Sequence, residues 1–306
     1  MEFLKMLESV RTPFLDRFFS LVTMLGEETV FIVVGLVFFW CINKKHGYYI
    51  LSVGFLGTVL NQFLKLLFRV PRPWVRDEKF TIVESAREEA TGYSFPSGHT
   101  QSAVGNFGAM GRISKQLVVR ILCALACLLV PLSRMYLGVH TPADVIVSFL
   151  IALALVFGLY PLVGKALESK RGMRIFFASL TAVGGLFLAF VLLYPFPTDT
   201  DPVNLESGVK NAYKILACVL GLWLAYEVDE KWTKFETGAV WWAQVLKLLL
   251  GLLPILAIKS GLKEPLYALF GGSYLADGVR YFLLVVFAGC VWPLTFSFFA
   301  RLGKKK

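Results

Sequence analysis

The chain has 306 residues, 57% hydrophobic and 15% aromatic, with 17% charged, a net charge of +10 and a mean hydropathy of +0.66. Soluble domains carry roughly 25% charged residues, so the composition excludes an ordinary soluble fold and, with it, a nucleic-acid reading of the positive charge. The basic excess fits loops on the cytoplasmic side of a membrane instead.

From the N-terminus, Phe3–Val10 and Phe14–Leu25 mix apolar and charged residues at helical spacing. They read as amphipathic helices lying along the membrane interface, the second with the length of a short extra span. Charges throughout this stretch interrupt any apolar run, which predicts no cleavable signal peptide. Nine apolar windows follow: Glu28–Ile42, Gly47–Phe68, Ser97–Ile113, Gln116–Ser133, Pro142–Val163, Ile175–Tyr194, Val209–Tyr226, Ala239–Ala257 and Val279–Ala300. A membrane-crossing helix needs about 20 mostly apolar residues, so the expected fold is all-α, a polytopic membrane helix bundle of about nine spans, with room for one re-entrant segment among the shorter windows. The expected organisation is residues 1–26 as interfacial helices, 27–165 as a core and 166–306 as additional transmembrane helices.

Cys41, Cys123, Cys127, Cys218 and Cys290 all fall inside apolar windows, without disulfide-framework or zinc-site spacing, and read as buried, inert thiols. One set of alternate loops holds Lys44 and Lys45, Arg112 and Lys115, Lys165 to Arg174, Lys231 and Lys234, and the C-terminal lysines. Their excess over carboxylates places that set in the cytoplasm. The polar connection Pro73–Phe95 then faces outwards and reads as a solvated loop.

The residues that carry chemistry lie between Lys65 and Asp144, and two of the three histidines of the chain fall there. In Phe95-Pro96-Ser97-Gly98-His99-Thr100, Pro96 suits a helix start, while Ser97 and Gly98 leave backbone N–H groups accessible to an anion favoured by the helix dipole. His99 would sit within a turn of a phosphate held there. Gly98, Ser102, Gly105 and Ala109 recur at three- and four-residue steps, which is close helix packing rather than chemistry. Further on, Thr141, Pro142 and Asp144 form a helix start of capping-box type. The same arrangement brings Asp144 back towards His140, where a carboxylate on one ring nitrogen fixes the tautomer and leaves the other to attack. Lys65, Arg72 and Arg134 stand at predicted span ends on the same face. A lone cation there would be snorkelling to the interface, but three of them beside two histidines can stabilise the oxygens of a transferring phosphoryl group.

Together these residues resemble the type 2 phosphatidic acid phosphatase family, the lipid phosphate phosphatases. The three-part signature of that family is matched at every position. Lys65 and six further residues lead to Arg72-Pro73, then comes Pro96-Ser97-Gly98-His99, then Ser133-Arg134, five residues, His140, three residues and Asp144. The resemblance implies that His140 is a nucleophile forming a phosphohistidine, Asp144 its orienter and His99 the general acid. Lys65, Arg72, Ser97, Gly98 and Arg134 would bind the phosphate. It also implies activity without metal or other cofactor, a membrane-lipid substrate and a site on the extracytoplasmic or luminal face. That face agrees with the loop charges, and the absence of targeting signals favours a bacterial plasma membrane. The alternatives are a sugar-phosphate phosphatase of the glucose-6-phosphatase kind, a phosphotransferase, or a lipid-transport module built from the later helices with an accessory site.

Overall fold

The computed structural model describes every residue except Glu89, Thr91 and Lys304 to Lys306. It is helical, with no strand among the described residues. In chain order the helices are α1 (Glu2–Ser9), α2 (Pro13–Thr23), α3 (Glu28–Val37), α4 (Lys44–Phe68), α5 (Pro73–Arg76), α6 (Gly98–Ile113), α7 (Leu117–Tyr136) and α8 (Pro142–Ala166). They continue as α9 (Lys170–Leu193), α10 (Pro202–Val228), α11 (Trp241–Gly261), α12 (Lys263–Leu269), α13 (Leu275–Val286) and α14 (Phe296–Arg301).

Each of the nine apolar windows is helical. Among the described residues seven stretches are individually long and apolar enough to cross a membrane, and the pair Pro13–Gly26 and Glu28–Ile42, bent by 51°, brings the number to eight if it is counted as one broken span. The difference from nine lies at α6. Its 16 residues span only ~24 Å at 1.5 Å per residue, short of a hydrocarbon core of ~30 Å. The protein is a multi-pass membrane protein, and α7 shows why the helices are soluble in lipid. Its Leu117, Val118, Ile121, Leu122, Leu125 and Leu128 are exposed along one face, while Cys123, Ala126, Cys127, Val130, Ser133 and Arg134 are buried. An apolar outer face with polar groups turned inward is the arrangement a bilayer demands.

The chain forms two compact units. The first comprises Met1–Val34, Tyr49–Leu162 and Phe196–Gly208. Within it α6 buries Thr100, Gln101, Ala103, Val104, Gly105, Asn106 and Ala109. A Cβ at Gly105 would lie 3.3 Å from Val53 of α4, so the small residues do serve close helix approach. The connection Pro73–Phe95 departs from the expected solvated loop. It contains α5 and a 3₁₀ turn, Glu84–Ala86, and buries Phe80, Ala86 and Ala90. Ala86 and Ala90 pack with Tyr136, Leu137 and Val139. Its carboxylates made it look solvated, but small and aromatic residues between them cover the turn after α7.

The second unit comprises Gly35–Tyr48, Val163–Pro195 and Val209–Lys306. Lys247, in the middle of α11, is 1% exposed. Its ammonium donates to Trp40 O at 2.8 Å and Thr237 O at 3.1 Å and faces the Phe296 ring at 4.4 Å. Trp40 lies in a π-helical turn, Phe38–Ile42, where the backbone ladder is irregular. Lys247 thus satisfies backbone carbonyls, while Glu227 binds Arg174 through two 2.7 Å hydrogen bonds. The cysteines form no disulfide among the described residues. Cys123 and Cys127 are buried as expected, whereas Cys41, Cys218 and Cys290 are only half-buried.

Candidate active site

All eight residues singled out from the sequence belong to the first unit, and two local chain reversals set much of their spacing. After α4, Arg69 takes a left-handed conformation (φ 48°) and its amide bonds back to Lys65 O at 3.0 Å. The chain turns there, so that Arg72 begins a new direction as the N-cap of α5, with Pro73 at the first helical position. Ser94 N donates to Val70 O at 2.7 Å, which ties the approach to α6 against this reversal. After α7, Gly138 adopts φ 84°, and the amides of Val139 and His140 both return to Arg134 O, at 3.1 and 3.3 Å. A side chain at Gly138 would be strained in that conformation and would meet Arg11 Nη2 at 2.7 Å. The five residues between Arg134 and His140 are therefore the length of one tight reversal that returns the histidine to the arginine.

The start of α8 is a capping box. Thr141 N donates to Asp144 Oδ2 at 2.7 Å and Asp144 N approaches Thr141 Oγ1 at 3.4 Å. The same Oδ2 accepts from Ser94 Oγ at 2.5 Å and lies 3.6 Å from His140 Nδ1. On the other side of the ring, Arg72 Nη1 stands 2.9 Å from His140 Nε2. A guanidinium can only donate, so Nε2 is the unprotonated nitrogen and Nδ1, 3.6 Å from Asp144 Oδ2, carries the proton. His140 and Asp144 are 1% and 2% exposed. Burial first, then Arg72, Arg134, Lys65 and His99, hold the imidazole well below its usual pKa. That ring is consequently neutral at neutral pH.

The cations are fixed by carbonyls. Arg72 Nε donates to Gly92 O and Nη1 to Val139 O, both at 2.9 Å. Lys65 donates to Tyr93 O, and Arg134 Nη1 to Thr23 Oγ1 at 2.8 Å. All three cations are buried. Ser97 caps α6 by accepting from Thr100 N at 3.4 Å, and its own amide donates to Asp144 O at 3.2 Å. Gly98 begins the helix, so its amide has no acceptor within the helix. His99 follows on the first turn. The structure therefore gathers Lys65, Arg72, Arg134, His99 and Asp144 around His140, but it engages the Ser97 amide internally.

Two family models match the chain: the PAP2 superfamily over residues 45–168, and the PAP2 superfamily phosphatase transmembrane extension over residues 213–305. The chain belongs to the PAP2 superfamily. Among proteins similar to this PAP2 member, a probable sphingosine-1-phosphate phosphatase of Dictyostelium discoideum is 29% identical over 160 residues, 48% of this chain and 38% of that protein. Undecaprenyl-diphosphatase BcrC of Bacillus subtilis is 32% identical over 119 residues, 38% of this chain and 56% of that one. The chain thus spans only 38% and 56% of the lengths of these two relatives. LpxE of Aquifex aeolicus aligns at 28% identity and a TM-score of 0.46, covering 52% of this chain and 92% of that chain.

Beyond the PAP2 signature, the geometry adds residues that the sequence did not single out. Ser94 shares the Asp144 oxygen, Asn61 Nδ2 donates to Pro96 O at 3.3 Å, and Thr23 reaches Arg134. Ser94 stands just before Phe95-Pro96, where one more polar residue in a polar loop gave no signal. A hydrogen bond to a carboxylate contributes about 1.5–3 kcal/mol. Ser94→Ala should lower kcat/KM about tenfold by loosening Asp144. Steady-state kinetics in detergent micelles, paired with a melting curve, would check this.

Proposed function

We propose that the protein is a phosphatase of membrane-lipid phosphates or diphosphates, working through a phosphohistidine without metal. The observation that carries the reading is the buried His140 ring held between Arg72 on Nε2, at 2.9 Å, and Asp144 beside Nδ1, at 3.6 Å. A phosphoryl group arriving there draws Arg72, Lys65 and Arg134 onto its oxygens, and Arg72 leaves the nitrogen lone pair. Nε2 attacks phosphorus, the bond to the lipid oxygen breaks, and His99 delivers a proton to that leaving oxygen. Asp144 stabilises the charge that develops on the ring. Water then attacks phosphorus while the deprotonated His99 takes its proton, and the P–N bond breaks, which restores neutral His140 and protonated His99 and releases inorganic phosphate. The amide of Gly98 at the start of α6 supplements the cations, because a helix N-terminus favours an anion.

The apolar lipid-facing helices and the names of the relatives support a lipid substrate. The excess of basic residues in the opposite loops supports a site on the outer face of a plasma membrane. The PAP2 core from residue 27 to 165 would perform the chemistry and the later helices would extend the membrane domain. The test is phosphate release by purified protein in EDTA across phosphatidic acid, a sphingoid phosphate, an isoprenyl diphosphate and glucose 6-phosphate. Turnover of one or more lipids, unaffected by EDTA and well above that of the sugar, is expected. Turnover confined to the sugar phosphate, or abolished by EDTA, would overturn the reading.

A further inference from the structure

The elbow between α2 and α3 touches two of the proposed site residues, although it lies outside both stretches matched to the family. Thr23, the last residue of α2, is 4% exposed and accepts a hydrogen bond from the guanidinium of Arg134, which is itself fully buried. Three residues on, at the bend, Gly26 lies so close to the start of α6 that an added Cβ would stand 2.8 Å from His99 O and 2.9 Å from His99 Cβ. It would also meet Val130 of α7 at 3.0 Å. Such distances require the elbow or the start of α6 at His99 to shift.

The approach of this elbow is over-determined. Arg11, between α1 and α2, donates through Nε to Tyr136 O at 3.1 Å, on the last turn of the helix that carries Arg134. The Tyr136 hydroxyl donates to Asp16 at 2.7 Å and accepts from Thr12 N at 3.3 Å. The Phe19 ring lies 4.3 Å from that of Tyr136. With α2 locked onto the end of α7 at these points, the elbow can hold the two site residues in fixed positions.

We infer that Thr23 and Gly26 are positioning residues, Thr23 aiming the guanidinium of Arg134 at the phosphate and Gly26 seating His99 beside the leaving oxygen. This rests on the phosphatase reading above. The two act on different quantities. Arg134 bears on the phosphate in substrate and product alike, so Thr23 governs anion affinity. His99 bears on the leaving group, so Gly26 governs turnover of substrates whose leaving oxygen needs a proton.

The experiment compares Thr23→Val, Thr23→Ala, Thr23→Ser and Gly26→Ala with the parent chain in detergent, reading melting temperature, kcat, KM and inhibition by inorganic phosphate. Thr23→Val and Thr23→Ala should weaken inhibition by inorganic phosphate about tenfold, as expected for losing a charge-assisted hydrogen bond. Thr23→Ser should restore it to within about twofold. Gly26→Ala should lower kcat for a lipid monoester about tenfold with little change in KM, and the defect should vanish with p-nitrophenyl phosphate, whose leaving group needs no acid. Phosphate inhibition unchanged in whichever of Thr23→Val or Thr23→Ala remains folded would overturn the role of Thr23. A Gly26→Ala defect equal for both leaving groups would overturn that of Gly26. A parent chain that neither releases phosphate from lipids nor is inhibited by phosphate would instead remove the phosphatase reading itself.

Discussion

Replacing His140 by alanine should abolish phosphate release from lipid substrates, by about 10⁴-fold or more, while the protein keeps its melting temperature in detergent to within a few degrees. The size follows from the proposed role: with Nε2 as the nucleophile, its loss prevents any covalent intermediate and leaves cations that can only bind the phosphate. Rapid acid-free quenching of the parent enzyme on a ³²P-labelled lipid should trap label on protein that is stable in alkali, and the alanine variant should carry none. Label retained by the variant would assign the nucleophile elsewhere. The protonation state gives a second readout that is free of substrate. The ring of His140 is pushed down by burial and by Arg72, Arg134, Lys65 and His99, so its neutral form persists as the pH falls through 6.5, the ordinary imidazole value. Nitrogen NMR of histidine-labelled protein should show this ring titrating below 6.5, and the three histidines of the chain make assignment by single substitutions direct. A titration above that value would mean that Asp144 outweighs the cations.

Substituting His99 by alanine should cost about 10²–10⁴-fold in kcat on a lipid monoester, the range for a lost general acid. The discriminating feature is the leaving group. An alkoxide needs a proton as the P–O bond breaks, whereas p-nitrophenolate does not, so the loss on p-nitrophenyl phosphate should be about tenfold or less. Equal losses on both would make His99 a phosphate ligand rather than an acid. The two variants also differ in which half-reaction fails. With His99 absent and an activated substrate, label should still reach His140. With His140 absent it should not.

Much of the gathered site was legible because its residues are local and their spacing is the length of real reversals. Lys65 to Arg72 spans the left-handed turn at Arg69, and Arg134 to His140 spans the turn at Gly138. The capping box at Thr141 and Asp144 was visible for the same reason, since every partner lies within four residues. What stayed hidden depends on long-range approach. Thr23 and Arg134 are separated by 111 positions and Ser94 and Asp144 by 50, and neither member of the first pair announces the other. The connection Pro73–Phe95 misled because its carboxylates dominate its composition while Phe80, Ala86 and Ala90 do the packing. The expected role of the Ser97 backbone met a competitor that spacing could not reveal: its amide is engaged by Asp144 O.

The contact of Arg72 with His140 Nε2 has a further consequence. If Nε2 is the nucleophile, its lone pair is covered by a guanidinium until another acceptor competes for that guanidinium. Phosphate oxygens compete for that guanidinium better than a neutral imidazole does, so the cargo itself uncovers the reactive nitrogen. Under the proposed chemistry the protein would idle as an inert membrane resident, indifferent to electrophiles without a phosphate, and arm itself only when a phosphorylated headgroup arrives. Selectivity for phosphate would then begin before any bond to phosphorus forms.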